Sequence, residues 1–331
     1  MDRLIRNDTT ITSTQAATES SFTSSVIALH CSLSSGHQWS RLTEELTGKH
    51  RVITPDISGY GNNDVGRLLL PTTMAEEVDL LSDRLGEAIG PIHLVGHSYG
   101  GALAFKIATD SPLAGRVRSL TLIEPVLPTI LMESESDRRL YEQFVCLAQA
   151  VCKDLWKGSS SEAIEKFLVF WNGSGPTEQL SSKALVRMIE HAEKLAYEFL
   201  AILGERNVAV AAAAIRVPTL LVSGGLSPYL TQRVVGRLVS MIPGAKARHL
   251  PAAGHMLPIS HAAIINPDIA RHIARADEFA NLSLVLGESP PQDDASVKIE
   301  TEKGAAPVGP ALVAPLREET ARLAPESVSV L

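Results

Sequence analysis

Ile92-His93-Leu94-Val95-Gly96-His97-Ser98-Tyr99-Gly100-Gly101 is the stretch from which the rest of the chain is best read. Ile92 to Val95 suits a buried strand, and the residues after Ser98 open a helix rich in small side chains, Gly100, Gly101, Ala102 and Ala104. A serine placed as Gly96-x-Ser98-x-Gly100 between strand and helix predicts a sharp turn with the hydroxyl at its tip. The two glycines lack the Cβ atoms that would collide across such a turn. G-x-S-x-G alone is a common pattern; the strand before it and the helix after it make it specific.

Outward from this turn, short apolar runs recur at Ser25–Leu29, Arg51–Thr54, Val117–Ile123, Val217–Ser223 and Ala247–Leu250. Between them, Gln38–Leu46, Thr73–Ile89, Tyr99–Thr109 and Thr231–Met241 place apolar residues three and four apart, which predicts helices with one buried stripe. The alternation predicts an α/β fold, a mostly parallel twisted sheet with helices on both faces. From Pro125 to about Arg206 the strand signal stops, and helices are predicted over Asp137–Lys157, Glu162–Trp171 and Ser182–Leu203. A helical insertion at this point is expected to act as a lid over the carboxyl ends of the strands, where open α/β sheets bind ligands.

After Asn281 prolines and acidic residues accumulate, and the segment has too little apolar surface to offset the entropy of ordering. It is expected to be a flexible tail, with PLREETARL (Pro315–Leu323) able to form a short helix against a partner. The expected organisation is an N-terminal segment 1–24, a core of 25–125 and 207–280, a helical cap 126–206 and a tail 281–331.

The 331 residues are 45% hydrophobic and 20% charged, a composition that supports a full enzymatic core. Lys and Arg number 30 against 37 Asp and Glu and form no basic block, so nucleic acid is not an expected partner. The longest apolar run, Val208 to Ile215, has eight residues, against the roughly 20 needed to cross a bilayer. The polar start MDRLIRNDTTITST lacks the apolar stretch of a secretory signal, and the three cysteines, Cys31, Cys146 and Cys152, are too few and too scattered for a disulfide framework. A cytoplasmic location follows as the expectation. No HExxH, CxxC pair or phosphate-binding GxxxxGK[ST] is present, so neither a metal nor another cofactor is expected.

Strand, G-H-S-Y-G-G turn, helix, helical insertion and the late Ala252-Ala253-Gly254-His255-Met256 together resemble the α/β-hydrolase family, in its serine-nucleophile branch, over roughly Val26 to Phe279. The family order is nucleophile, acid, histidine. The resemblance implies Ser98 as nucleophile and His255, in the turn after the run Ala247–Leu250, as general base. Many members carry an Asp in a G-x-x-D turn after the strand matching Val217–Ser223; here that turn reads Gly224-Gly225-Leu226-Ser227. No Asp or Glu occurs between Glu205 and Asp268, so the orienting carboxylate must come from elsewhere. Glu124, ending the run Val117–Ile123, is the best candidate, since some members place their acid there. Two alternatives stay open: Glu124 as a strand-end residue held by a salt bridge or a loop amide, and a working Ser98–His255 dyad with Ser227 or water behind the histidine.

By the same resemblance the oxyanion donors are the amides of Ser32 and Tyr99. Cys31 stands where relatives often have Gly and is read as a buried packing residue. His30 and His97 are read as hydrogen-bonded structural histidines, and Asp56 in Pro55-Asp56-Ile57-Ser58-Gly59-Tyr60-Gly61 as a loop-stabilising group. Phe144, Cys146, Phe167, Phe170, Trp171 and Tyr197 follow helical spacing as lid packing, one or two of them lining an acyl pocket. The implied function is cleavage of small or medium acyl esters through an acyl-enzyme, with a small-molecule acyl substrate as the partner. Carbon–carbon bond hydrolysis, acyl transfer, and a ligand-binding homologue without turnover stay open.

Overall fold

Strands β1 (Ser25–Leu29), β2 (Arg51–Ile53), β3 (Ile92–His97), β4 (Val117–Ile123), β5 (Thr219–Gly224) and β6 (Lys246–Leu250) form one sheet in the order β2-β1-β3-β4-β5-β6. Every neighbouring pair is parallel. This is a computed structural model, and it describes residues 22–63, 71–173 and 180–286, with side chains up to residue 282. The N-terminal residues 1–21 and the expected tail from 287 on, including Pro315–Leu323, lie outside the described residues.

The central strands β1, β3 and β5 are buried along their whole length, which is why they read as unbroken apolar runs instead of alternating ones. Successive side chains point to opposite faces. Ile27, Leu29, Leu94, Leu120, Leu122 and Leu221 pack on one side, against α2 (Met74–Leu80), α4 (Tyr99–Thr109) and α10 (Tyr229–Met241). Val26, Ala28, Val95, Ile123, Leu220 and Val222 pack on the other, against Trp39, α1 (Ser40–Leu46), Leu257 of the short α11 (Leu257–Ser260) and the Ile265, Ile269 and Ile273 stripe of α12 (Ala262–Leu286). Edge strand β6 keeps only Leu250 buried, and its Lys246 and Arg248 blunt the open edge.

Several sequence expectations change. Thr73–Ile89 is two helices, α2 and α3 (Ser82–Gly86), α2 starting from a Thr73–Glu76 capping box. β5 begins at Thr219 and not at Val217, because Pro218 has no N–H to give to the ladder. Ser182–Leu203 divides into α7 (Ser182–Glu190) and α8 (Lys194–Gly204). α12 continues to Leu286, so residues 281–286, assigned to the tail, are helical.

Between β4 and β5 the chain adds α5 (Glu135–Trp156), α6 (Ser160–Asn172), α7, α8 and α9 (Val208–Ala214), the last formed by the eight-residue apolar run. α5 is fixed to α10 by Asp137, whose buried carboxylate accepts from Arg233 Nε (3.0 Å) and Nη2 (2.9 Å) and from Arg237 Nε (2.8 Å). These guanidiniums, Arg233 first, hold its pKa below the usual carboxylate range. Phe144 of α5, Phe167 and Trp171 of α6 and Phe199 of α8 meet edge to face, with centroids of Phe144 and Phe199 5.6 Å apart.

Candidate active site

Ser98 leaves β3 with φ 56° and ψ −119°, a conformation that L side chains avoid and that here lifts the hydroxyl clear of the strand. The backbone holds it there: its N–H donates to the Ile123 carbonyl (3.0 Å), and its carbonyl accepts from Ala102 and Val126 (3.1 Å each). A Cβ on Gly96 would run into the Gly100 carbonyl, and one on Gly100 into the carbonyls of Leu29 and His30. Both glycines are therefore fixed by close backbone approach.

The register pairs His97 with Ile123, so Ser98 and Glu124 emerge side by side at the carboxyl ends of neighbouring strands. His255 reaches them from the loop after β6. Its Nε2 lies 3.0 Å from Ser98 Oγ and its Nδ1 2.6 Å from Glu124 Oε2. Glu124, itself at φ 44°, accepts the Gly224 N–H on Oε1 at 2.7 Å. All three side chains are buried. The turn Gly224–Ser227, which holds no carboxylate, thus still supplies an amide to the one that stands on β4. Ser227 Oγ is buried and, among the described residues, has no hydrogen-bond partner.

Trp171 stacks on His255, with centroids 4.4 Å apart and planes at 21°. Sequence spacing identified Trp171 as lid packing and could not show that it faces the imidazole. His97 lies behind: its Nε2–H donates to the His255 carbonyl (2.9 Å), and its Nδ1 accepts from Gln38 Nε2 (3.2 Å). Gln38 Oε1 in turn accepts the Cys31 N–H at 3.2 Å. One amide side chain therefore ties the turn after β1, the elbow and the histidine loop together. Burial first, then the charge His255 can carry, hold the His97 pKa well below its ordinary value.

The turn after β1 is pinned by His30, whose Nδ1 donates to the Cys31 carbonyl (2.7 Å) while Nε2 accepts the Ile57 N–H (2.9 Å). Burial takes the His30 pKa down to about 4, so the ring is neutral. Cys31 is buried with its thiol pushed up to about 12 by desolvation, the environment of an inert packing residue. Asp56 braces the same region, accepting from the Gly36 N–H (2.7 Å) and the Asn62 N–H (2.9 Å), beside Gly59 and Gly61 at positive φ. The amides of Ser32 and Tyr99 donate to no protein group among the described residues. None of the three cysteines is in a disulfide among the described residues.

Ser98 opens into a cavity of about 10 Å³, room for about one water molecule, lined by Ser32, Val126, Phe144, Phe167, Trp171, Phe199 and their neighbours. That is below the usual ligand-pocket range of roughly 300–1,000 Å³. A larger groove between β6 and α12, lined by Lys246, Arg248, Arg271 and Arg275, contains none of these groups.

Two groupings escaped the sequence reading. Glu198 of α8 lines the Ser98 cavity, and Lys194, one turn earlier, forms a buried ion pair with Glu77 of α2, which also accepts from the Ser58 and Tyr99 hydroxyls. Two charges four apart in the otherwise apolar KLAYEFLAILG were the available signal. At the opposite, amino-terminal end of the strands, His50, His93 and Asp277 come together, with His93 Nε2 3.2 Å from Asp277 Oδ1. Arg118 already bonds that oxygen at 2.9 Å, and it and His93 hold the Asp277 pKa down at about 2 against the opposing effect of burial. No local motif could have joined positions 50, 93 and 277.

A family model described as the alpha/beta hydrolase family matches residues 26–267. Among curated proteins, the chain is 35% identical over 94 residues to the magnesium-chelatase 30 kDa subunit of Rhodobacter capsulatus, covering 27% of this chain and 31% of that one. It is 31% identical over 103 residues to lipase LipV of Mycobacterium tuberculosis, covering 31% and 37% respectively. The matches thus span about a third of the length of these relatives. Among solved structures, MenH from S. aureus superposes with a TM-score of 0.63 at 19% identity, over 77% of this chain and 95% of that one, a likeness of fold. Among the described residues, no helix is long and apolar enough to cross a membrane.

Proposed function

The chain belongs to the alpha/beta hydrolase family, and we propose that it is a serine hydrolase that cleaves esters of small or medium acyl groups through an acyl-enzyme. The observation that carries this reading is the unbroken hydrogen-bonded chain Ser98 Oγ–His255 Nε2, His255 Nδ1–Glu124 Oε2. A serine hydroxyl is a weak nucleophile until a base takes its proton during attack. With Glu124 on Nδ1, His255 is held in the tautomer whose Nε2 lone pair faces Ser98, and the carboxylate stabilises the imidazolium that forms.

In this mechanism Ser98 Oγ attacks the acyl carbon as its proton passes to Nε2. The carbonyl oxygen becomes an oxyanion, received by the amides of Ser32 and Tyr99, each worth roughly 10²- to 10³-fold in rate. His255 then gives its proton to the leaving alkoxide. Water, deprotonated by the same nitrogen, attacks the acyl-enzyme and releases the acid and Ser98. The face of Trp171 lies against the imidazole and fixes the plane of the ring during these steps. The apolar lining above Ser98 suits an acyl chain, which the cavity must widen to admit, and the helices between β4 and β5 serve as its cap.

Labelling with a fluorophosphonate probe tests the nucleophile. Wild-type protein is expected to take one label, and Ser98→Ala none. A wild-type protein that stays unlabelled, while folded, would favour a binding protein over an enzyme.

A further inference from the structure

The cavity above Ser98 is apolar except at one wall. Val126, Phe144, Phe167, Trp171 and Phe199 are joined there by Glu198, whose side chain is 2% exposed. The Ser32 and Tyr60 hydroxyls and the Lys194 ammonium stand close enough to interact with its carboxyl, yet Oε1 makes no hydrogen bond of ordinary geometry, and neither does the Tyr60 hydroxyl. Buried oxygens are satisfied in the great majority of cases, because leaving one bare costs the full desolvation of the group. An aromatic residue at 198 would have completed the wall at no such cost.

We infer that Glu198 is a polar subsite of the acyl pocket, accepting a hydrogen bond from a neutral donor, a hydroxyl or an amide N–H, carried on the acyl chain of the substrate. This rests on the proposed role of Ser98 and narrows its substrate class from plain alkanoyl esters to those bearing a donor. A cationic acyl group fits less well, since the Lys194 ammonium, held by Glu77, stands one helical turn from Glu198. Burial, the largest influence on it, brings the Glu198 pKa up to about 7, so the group is not committed to the charge that would call for a cation.

The test compares two fluorophosphonates that differ in one atom, one with an n-butyl and one with a 4-hydroxybutyl chain on phosphorus, by their second-order rates of labelling at Ser98. Wild-type protein is expected to favour the hydroxylated probe by about 10- to 100-fold, the range of a hydrogen bond to a charged or strongly polar buried group. Glu198→Gln, which keeps an acceptor oxygen, should retain most of this ratio; Glu198→Leu should bring it to one or below. Equal rates for the two probes in wild-type protein, or an unchanged ratio in Glu198→Leu, would overturn the assignment. Failure of both probes to label wild-type protein at all would instead remove the reading of Ser98, and this one with it. Because the ratio in wild-type protein is decisive by itself, a poorly folding variant leaves the proposal open to refutation.

Discussion

Replacing Glu124 by Gln changes one oxygen to an amine and nothing in shape, and the surroundings decide what the new side chain must do. Gly224 donates to Oε1 at 2.7 Å, so the Gln oxygen stays on that side and its NH₂ turns toward His255 Nδ1. Nδ1 must then accept, which moves the imidazole proton to Nε2 and leaves no lone pair facing Ser98. The opposite orientation restores the working tautomer but sets two donors against each other at Gly224, at a cost of about 1–3 kcal/mol. At 1.36 kcal/mol per decade, between about one molecule in six and about one in 160 keeps a competent histidine. The lost stabilisation of the imidazolium adds to this, and the same acid-to-amide change in a serine-protease triad costs about 10⁴ in all. The expected fall in kcat is therefore between about 10² and 10⁴. Stopped-flow release of p-nitrophenol from a short-chain ester reads the acylation step directly, with circular dichroism to confirm the fold. A loss under tenfold, or an equal loss in Ser227→Ala, would refute the role given to Glu124.

Gly100→Ala places a methyl against the carbonyls of Leu29 and His30 and should lower stability by about 1–3 kcal/mol or more in urea titration; an unchanged midpoint would mean that the elbow is looser than described. Ser98→Gly relieves a residue held at φ 56° and should raise the urea midpoint, by a net amount on the order of 1 kcal/mol, while abolishing labelling. The folded chain holds the Glu198 proton up to about pH 7 and the unfolded chain only to about 4.5, so stability falls as pH rises between those values and is level above. Glu198→Gln should flatten that window relative to wild type, as read by denaturation at pH 5 and 7.5, whereas the opposing slope from neutral, buried His30 is common to both proteins.

Much of this architecture is legible in the sequence because it rests on short-range signals. β1 and β4 begin and end where the apolar runs do, and the helix after the elbow spans Tyr99–Thr109 as its spacing predicts. Glu124 stands out through a deficit, the lack of any carboxylate from 206 to 267. What the sequence hides depends on tertiary partners. α7 carries no fully buried residue while α8 is buried on nearly every side, so one straight helix could not serve both, yet their junction holds neither Gly nor Pro to mark it. Lys194 and Glu198 look like a solvated pair until Glu77, more than a hundred positions earlier, is brought against them. The stack of Trp171 on His255 is likewise invisible from spacing, since the two residues share neither element nor neighbourhood in the chain.

Two members of the proposed triad grow from adjacent central strands locked in register, whereas the third arrives on a loop beyond an exposed edge strand. Warming should therefore release the imidazole before the sheet melts. Esterolysis would then fade reversibly at temperatures where calorimetry still finds the body of the protein intact.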